Sequence, residues 1–529
     1  MISSIKFKDT GYFSKIICDY LDRDENVNDF YDQFPDIEGF KRQIAQKKKS
    51  FPIASRKVLK QSLIDQTKQL NLSDLSLDHI NLLEKENTYT VTTGHQLNLF
   101  TGPLYFLYKI ISAINLAKAL KHNFPEDNFV PVYWMATEDH DFEEIRFFNF
   151  KGKKISWNKE VSGAVGRAST EGLDKVFKEL DTALGTSQNA KRLRQLFEDA
   201  YLNHDSLTDA TRYLANELFQ DHGLVIIDGD DPELKRLFIP YVKEELLDQT
   251  SFKEVNKTNT LLDNDYPIQV NPREINLFYL EDNLRERIVL DKGLYKINQT
   301  EKVFSKEEIL EELRLTPEKF SPNVLMRPLY QEVILPNLCY IGGGGELAYW
   351  MQLKQYFNKV NMPFPILLLR NSVLLLTEKQ RKKMAALNIS DAEIFLPQND
   401  LIKSKVKEIS DLKIDFSDQE MDLQKMFDHL KTLAQKTDKS FTGAVLAQEK
   451  KQLNGLKNLE KRLLRAQKRK YKETVDRITL LQNELFPKGS LQERQMNFSD
   501  FYEFQGEGLI DKLLDGLEPL KLEFDLISP

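Results

Sequence analysis

The stretch Tyr89-Thr-Val-Thr-Thr-Gly-His-Gln-Leu-Asn-Leu-Phe-Thr-Gly-Pro-Leu-Tyr-Phe-Leu-Tyr-Lys109 decides the fold of this chain. Its β-branched start, Tyr89 to Thr93, is typical of a strand, and Gly94 predicts a turn directly after it. Apolar residues then recur at helical spacing, which predicts a helix whose first residue is Pro103. A strand, a glycine turn and a helix in this order point a helix N-terminus at an anion in α/β enzymes. The stretch therefore predicts a phosphate or carboxylate site built from backbone N–H groups and three side chains: His95, Gln96 and Thr101.

Four further segments are apolar along most of their length: Phe129 to Met135, Gly223 to Asp228, Asn337 to Ile341 and Pro365 to Arg370. Runs that are apolar on both faces indicate a parallel sheet covered by helices. Ligands of such sheets bind at the carboxyl ends of the strands. Polar residues accumulate at those predicted ends, namely at Thr93 to Gln96, Glu138 to Asp141, Asp228 to Asp231, Gly342 to Glu346, and Arg370.

Composition divides the 529 residues into a sheet domain with insertions and a C-terminal helical region. The charged stretch Lys41 to Ser50 predicts a solvated helix face. Apolar residues at three- and four-residue steps between 420 and 486 predict a long coiled-coil helix, in which the basic run Lys461 to Lys472 is interpreted as solvated charge. The predicted limits are 1–85 for an N-terminal helical part of the core, 86–150 for the first half of the core, 151–220 for a first insertion, 221–264 for continued core, 265–320 for a β-rich second insertion, 321–419 for the second half of the core, 420–486 for the coiled coil and 487–529 for a segment packing on the core.

Composition also excludes several classes of function. The net charge is -7 with both signs interspersed, so a field for nucleic acid is absent. No apolar run is long enough to cross a membrane, and the first residues lack the pattern of a signal peptide. The two cysteines, Cys18 and Cys339, do not suggest a disulfide framework. We therefore expect a cytoplasmic protein without a nucleic-acid or membrane partner.

Two candidate sites allow both a functional and a structural interpretation. His95 could contact a phosphate or transfer a proton, or it could be a structural histidine. The loop Glu138 to Asp141 could bind Mg²⁺ or a substrate ammonium, and a solvated loop is the alternative. Trp134 and Met135 directly upstream favour a half-buried loop. A zinc site is not expected, because the cysteines are not spaced for it.

Two later motifs are open to the same alternatives. The glycines of Gly342-Gly-Gly-Gly-Glu346 let backbone approach a ligand closely, but a tight strand-to-helix turn explains them as well. They match neither the GxGxxG pattern nor the Walker pattern. Arg327 could clamp a carboxylate or phosphate with two hydrogen bonds, or it could be an ion-paired arginine.

Taken together, these motifs resemble the bacillithiol biosynthesis cysteine-adding enzymes, a family of cysteine ligases. The resemblance covers nearly the whole chain, includes Leu491-Gln-Glu-Arg494, and rests on four blocks in the family's order: Thr93-Gly-His-Gln to Lys109, Pro131-Val-Tyr-Trp-Met-Ala-Thr-Glu-Asp-His-Asp-Phe-Glu-Glu-Ile145, Ser321-Pro-Asn-Val to Pro336, and Tyr340-Ile-Gly-Gly-Gly-Gly-Glu-Leu-Ala-Tyr349. Where many relatives have two glutamines, this chain has His95-Gln96, and a glutamine cannot transfer a proton.

The resemblance implies a Rossmann-like parallel-sheet core with connecting-peptide insertions, similar to class I aminoacyl-tRNA synthetases. It implies a C-terminal α-helical coiled coil that pairs two subunits into a homodimer. It also implies that the chain joins the carboxylate of cysteine to the amine of glucosaminyl malate. ATP, released as ADP or AMP, is the expected cofactor, and Mg²⁺ is a further candidate. Gly94-His95 matches only half of the synthetase HIGH signature, and Lys403-Ser-Lys405 is a poor substitute for KMSKS, so ATP use is an expectation from resemblance.

The expected site residues form three groups. The catalytic group is His95, Gln96, Lys109, Asp139, His140 and Asp141, with a base among the last three. The substrate-binding group is Trp134, Glu138, Asn323, Arg327, Gln331, Glu346 and Tyr349, with Arg327 on the malate carboxylates. The nucleotide-binding group is Thr93, Gly94, Thr101, Gly102, Gly342, Gly343, Gly344 and Gly345. No dedicated metal ligands are assigned. The alternatives are a nucleotidyl-transfer or other ATP-dependent ligase acting on a different small acid, and a non-catalytic scaffold.

Overall fold

The computed structural model describes residues 2–528. The strands in this range are β1 Ile2–Ile5, β2 Thr88–His95, β3 Asn128–Met135, β4 Phe147–Phe150, β5 Lys153–Ser156, β6 Val225–Asp228, β7 Leu277–Glu281, β8 Leu284–Asp291, β9 Leu294–Ile297, β10 Val303–Phe304, β11 Phe320–Pro322, β12 Asn337–Gly342, β13 Ile366–Leu369, β14 Ser372–Leu375 and β15 Phe524–Ile527. The α-helices are α1 Lys15–Leu21, α2 Ile37–Ser50, α3 Ile53–Gln66, α4 Asp74–Leu82, α5 Tyr105–Asn123, α6 Phe142–Ile145, α7 Leu173–Ala183, α8 Gln188–Tyr201, α9 Leu207–Phe219, α10 Pro232–Asp248, α11 Thr250–Leu262, α12 Lys306–Leu315, α13 Arg327–Ile334, α14 Gly344–Met351, α15 Lys354–Lys359, α16 Glu378–Ala386, α17 Gln398–Ile409, α18 Ser417–Ala434, α19 Lys439–Lys470, α20 Lys472–Leu485, α21 Gln492–Gln495, α22 Ser499–Gln505 and α23 Gly508–Gly516.

The five predicted core strands form one parallel sheet in the order β13-β12-β2-β3-β6. From β2 the chain proceeds to β3 and β6 on one side, and later to β12 and β13 on the other. Numbered along the chain, this is the Rossmann order 3-2-1-4-5. The order reverses between β2 and β12, where ligands of doubly wound sheets bind. The predicted Rossmann-like fold is confirmed.

The sheet is buried on both faces. Successive residues of β3 alternate between two hydrophobic cores: Val132 and Trp134 belong to one, and Tyr133 and Met135 to the other. Helix α5 packs against β2 and β3, whereas α2 packs against β12 and β13. Because neither face is solvated, the strands flanking β2 are mostly apolar rather than alternating, as the sequence pattern predicted, whereas β2 buries Thr88, Thr90, Thr92 and Thr93.

Two segments are inserted into this core. The hairpin β4–β5 and helices α7 to α9 lie in the chain between β3 and β6. An antiparallel sheet with the order β10-β9-β8-β7-β11 precedes β12. This sheet lies mostly within the second insertion, which the sequence predicted to be β-rich. The limits assigned to the individual domains stay a prediction.

The C-terminal helical region differs from the single long helix that the periodicity predicted. It consists of α18 and α19, which pack against each other, and α20, which is separated from α19 at Tyr471. Ile478, Leu481 and Leu485 of α20 are buried in the main hydrophobic core. The apolar repeat of α20 therefore serves packing within the chain, and the helical hairpin α18–α19 extends beyond it. The basic side chains of Lys461 to Lys472 are partly or fully exposed, as predicted.

Lys47 is the buried charge on the predicted solvated face of α2. Its Nζ lies 2.9 Å from an oxygen of Glu332, and both side chains are buried. The neighbours Lys48 and Lys49 are exposed, as predicted. The Lys47 side chain points from α2 toward β12, because its partner Glu332 lies just before that strand.

The deciding stretch itself is arranged differently from its prediction. Strand β2 extends to His95, so Gly94 and His95 lie in the strand and not in a turn. Helix α5 begins at Tyr105, and the N–H of Leu104 donates to the carbonyl of Met496 at 2.8 Å. The C-terminal segment therefore covers the start of α5. It satisfies one N–H group there, and the anion site at this helix N-terminus stays a prediction.

Candidate active site

A cavity of about 470 Å³ lies at the carboxyl ends of β2, β3 and β12, where the strand order reverses. The predicted residues that line it are Gly94, His95, Gln96, Lys109, Trp134, Glu138, Asp139, Asn323, Arg327, Gly343, Gly345, Glu346 and Tyr349. The predicted residues that do not line it are Thr93, Thr101, Gly102, His140, Asp141, Gln331, Gly342 and Gly344. Four distant blocks of sequence thus converge on one cleft.

Arg327, the first residue of α13, is a desolvated cation in this cleft. Its Nη1 donates to Gln331 at 3.1 Å, but its buried Nη2 has no hydrogen-bond partner within residues 2–528. The guanidinium lies between 5.4 and 5.8 Å from the ring centres of Trp134, Tyr340 and Trp350. A buried guanidinium with a free donor is costly unless an anion binds it.

Arg370, which follows β13, supplies a second free donor. Its Nη2 donates to Glu493 at 2.6 Å and its Nη1 to Ser372 at 3.0 Å. Its buried Nε lacks a partner in the described part of the chain. Arg370 lines the same cavity as Arg327, so two unpaired guanidinium donors face one volume.

Glu493 belongs to α21, and its neighbour Arg494 reaches the cavity as well. Arg494 is exposed, and no carboxylate among residues 2–528 pairs with it. Arg370, Arg494, Arg285 and Tyr105 were missing from the sequence-predicted site. Two of them had a signal in the sequence: Arg370 follows a predicted core strand, and Arg494 ends the late block Leu491-Gln-Glu-Arg494.

Glu346 and Lys109 form an ion pair at the point where the strand order reverses. Lys109 Nζ lies 2.6 Å from Glu346 and donates to the carbonyl of Gly94 at 2.7 Å. Burial would raise the pKa of Glu346, but Lys109 outweighs it and lowers that pKa. Glu346 also accepts from Tyr340 Oη at 2.7 Å. Lys109 and Glu346 therefore join β2 to β12, and a structural role accounts for both.

The glycine turn is not arranged as a phosphate cradle. Glu346 Oε2 accepts from the N–H of Gly343 at 2.9 Å, which places a carboxylate at the N-terminus of α14. A phosphate at that terminus would meet this negative charge. Gly344 packs against Ile17 and Phe13 instead of the cavity, and Gly345 alone has open space. The polar groups that fit phosphates in this cleft are its arginines.

Asp139 supplies a carboxylate to the same cleft. Gln96 Nε2 donates to it at 2.9 Å, and the N–H of His140 donates at 2.7 Å. Burial would raise the pKa of Asp139, but the hydrogen bonds from His140 and Gln96 outweigh it and hold this pKa well below its usual range. A carboxylate with so low a pKa is a strong acceptor for an ammonium and a weak base. The adjacent Glu138 pairs with Lys235 at 2.6 Å.

His95 is a neutral imidazole at physiological pH. Burial, followed by the charge of Lys109, lowers its pKa to about 3. Its side chain contacts the rings of Tyr105 and Phe106, and its Nε2 is unpartnered among residues 2–528. Such an imidazole can donate or accept one hydrogen bond in the cleft, whereas proton uptake is unfavourable.

The remaining acidic-loop residues lie outside the cleft. Asp141 is exposed and precedes α6, and its N–H points back to Asp139 at 3.4 Å. The Nδ1 of His140 accepts from Arg285 Nη1 at 2.8 Å, in a neighbouring cavity. No group of three or more His, Cys, Asp or Glu side chains in residues 2–528 is placed to hold a metal ion. A role for Mg²⁺ stays a prediction.

Two family models together cover the chain and agree with this architecture. Residues 1–371 match the N-terminal Rossmann-like domain of bacillithiol biosynthesis BshC, and residues 373–529 match its C-terminal coiled-coil domain. The chain belongs to the BshC family. The predicted family is thereby confirmed, as is a fold with a Rossmann-like core and a coiled-coil domain.

Individual BshC relatives align over nearly their full length. A protein of Flavobacterium johnsoniae is 57% identical over 524 residues, which covers 99% of each chain. One from Christiangramia forsetii is 56% identical over 529 residues, and one from Bacillus mycoides is 28% identical over 526. The aligned parts are 99% of this chain and 98% of the former relative, and 94% of this chain and 95% of the latter. All three are named "Putative cysteine ligase BshC", which agrees with the prediction of a ligase enzyme.

Within the described residues, no helix has the length and apolarity that a membrane crossing requires.

Proposed function

We propose that this chain joins the carboxylate of cysteine to the amine of glucosaminyl malate by an amide bond. The observation that carries the proposal is the pair of buried, unpaired guanidinium donors of Arg327 and Arg370, which line the same cleft as the carboxylate of Asp139. Cysteine combines a carboxylate with an ammonium, and glucosaminyl malate combines an amine with two carboxylates. A cleft lined by both positive and negative groups is complementary to both substrates.

Amide formation requires that the amine nitrogen attacks the cysteine carboxyl carbon and that one carboxyl oxygen departs. ATP supplies the leaving group when it is bound. Arg327 and Arg370 bind and orient carboxylate oxygens and offset their negative charge. Asp139 binds the amine as its ammonium before the reaction and fixes its direction of approach. The ammonium then loses a proton to solvent water before its nitrogen attacks, since the pKa of Asp139 is too low for efficient proton removal.

The decisive experiment incubates the full-length chain with cysteine, glucosaminyl malate and ATP. We expect the amide product by mass spectrometry, together with stoichiometric release of either AMP or ADP. AMP would indicate an acyl-adenylate, and ADP an acyl phosphate. No product with these substrates, but turnover with a different acid, would favour the alternative ligase. No turnover with any acid, in a chain with native circular dichroism, would reject an enzymatic role.

We also propose that the chain acts in the cytoplasm as a homodimer that forms through the hairpin α18–α19. Leu433, Leu446 and Leu459 of this hairpin are 54%, 49% and 53% exposed. Exposure of these apolar side chains to water is unfavourable in a monomer, and a second copy of the hairpin would cover them. Light scattering of the wild type should give twice the mass of 61.7 kDa. Leu446→Glu should yield monomers, whereas Lys457→Glu, a control at an exposed position of α19, should remain dimeric. A monomeric wild type would contradict the proposal.

A further inference from the structure

A second cavity of about 480 Å³ adjoins the cleft. The two volumes share a wall formed by Asp139, Arg285, Asn323 and Val324. The far side of the second cavity carries two more arginines, Arg273 and Arg287, and its floor includes the ring of Phe278. We call this volume the arginine cavity. Its basic residues come from the second insertion and were not singled out in the sequence.

Strand β8 places two of these arginines side by side. Arg285 and Arg287 are separated by one residue, so they point to the same face of the strand. Arg287 is opposite Phe278 of β7 in the antiparallel pairing. The Arg285 guanidinium lies 3.9 Å from the Phe278 ring centre. Its Nε donates to Ser321 at 3.3 Å and its Nη1 to His140.

Ion pairing distinguishes these arginines from other cations of the insertion. Lys296 pairs with Asp291, Lys302 with Glu281, and Arg314 with Glu311. Over residues 2–528, neither Arg273, Arg285 nor Arg287 lies within ion-pair distance of a carboxylate. Three guanidinium groups thus surround one cavity without a direct ion pair, and Asp139 is the one carboxylate among its lining residues. Such an arrangement favours a bound anion.

We infer that the arginine cavity binds an oxyanion with at least two negative charges, either a phosphate chain or a dicarboxylate. Guanidinium groups form two parallel hydrogen bonds with either group. The shared wall at Arg285 lets one ligand extend from the cleft into the arginine cavity. This assignment places multiple negative charge on the insertion, and not at the glycine turn that Glu346 caps. It rests on the arginine geometry alone and does not require the proposed ligase activity.

Isothermal titration calorimetry on the full-length chain tests the inference, with pyrophosphate and L-malate as separate probes. The test variant is Arg273→Gln combined with Arg287→Gln, since both side chains are exposed and the fold should tolerate the change. The control is Arg314→Gln, an exposed arginine of the same insertion that lies outside the arginine cavity. We expect the double variant to bind at least one probe about tenfold more weakly, as the loss of charge-assisted hydrogen bonds predicts. The control should bind like the wild type.

The two probes separate the sources of the oxyanion. Weakening for pyrophosphate alone identifies a phosphate chain, and weakening for malate alone identifies a dicarboxylate. Either result supports the inference. Wild-type affinity of the double variant for both probes would overturn it, as would a wild type that binds neither. Anion binding without amide synthesis would reject the ligase proposal but leave the arginine cavity as a site.

Discussion

At the residue scale, hydrogen bonding decides what each member of the acidic loop can do. Asp139 and Asp141 are the same residue type, two positions apart in one motif. Asp139 accepts hydrogen bonds from Gln96 and His140 and lines the cleft, whereas Asp141 is exposed and lies outside it. The sequence alone assigned both to catalysis. The structure separates them and provides a matched pair for mutation.

Replacing Asp139 with Asn should reduce kcat/KM for the amine substrate by at least about a hundredfold, because the charge that binds the ammonium is lost. Replacing Asp141 with Asn should leave kcat/KM within about twofold of the wild type, because this substitution removes a charge that is exposed to solvent and lies outside the cleft. Steady-state kinetics with glucosaminyl malate as the varied substrate checks both. Equal losses in the two variants would show that the loop acts through its conformation and not through Asp139.

A second prediction at this scale concerns His95. With its pKa lowered to about 3, this imidazole is neutral throughout the physiological range. His95→Gln should therefore keep at least about half of the activity and leave the pH–rate profile between pH 6 and 9 unchanged. A profile that loses an ionisation in the variant would assign proton transfer to His95. His95→Ala controls for the lost side-chain volume and should weaken substrate binding.

At the scale of elements, a buried polar network connects α2 to the cleft. Arg327 donates to Gln331, Gln331 donates to Glu332, and Glu332 accepts from Lys47. Asn337, at the start of β12, also donates to Glu332 at 2.6 Å. The helix carrying Arg327 is therefore fixed by Lys47, a charge that the composition of the stretch Lys41 to Ser50 had assigned to solvent.

Lys47→Met should destabilise the chain by about 3–5 kcal/mol, because Glu332 would remain buried without its counter-charge. Lys48→Met, the neighbouring and exposed position, should change stability by less than about 0.5 kcal/mol. The midpoints of urea unfolding, followed by circular dichroism, distinguish these results. Similar midpoints for both variants would mean that the Lys47–Glu332 pair contributes little net energy.

At the scale of the whole molecule, the C-terminal segment completes the cleft. Glu493 pairs with Arg370, Met496 covers the start of α5, and Arg494 reaches the cavity. In the sequence, these residues lie about 400 positions after strand β2, Thr88–His95, whose carboxyl end lines the cleft. The coiled-coil domain is thus joined to the active-site region by contacts as well as by covalent connection.

Arg494→Gln should lower kcat/KM at least about tenfold, through loss of one charge-assisted contact with a substrate anion. Its thermal stability should match the wild type, because Arg494 makes no ion pair within the described residues. Arg465→Gln, at an exposed position of α19, is the control and should be fully active. Wild-type kinetics for Arg494→Gln would remove this residue from the site.

The sequence by itself determined the Rossmann-like core, because strands buried on both faces must be apolar throughout and must end in polar turns. It located Asp139, Glu346 and Arg370 at predicted strand ends for the same reason, whereas Arg327 was assigned from its chemistry and from the resemblance to the family. Local patterns act over a few residues, so they identified the strands, whereas β2 extends beyond its predicted end to His95.

Only the tertiary structure decided which polar residues remain free for a ligand. Glu346 is occupied by Lys109, and the start of α5 is covered by Met496, whereas Arg327 and Arg370 keep unpaired donors. The arginines of the second insertion and of the C-terminal segment approach the cleft through contacts that no local pattern encodes. Ion pairs and hydrogen bonds between residues far apart in the chain form only in the packed fold. They determine which charged groups remain free to contact a substrate.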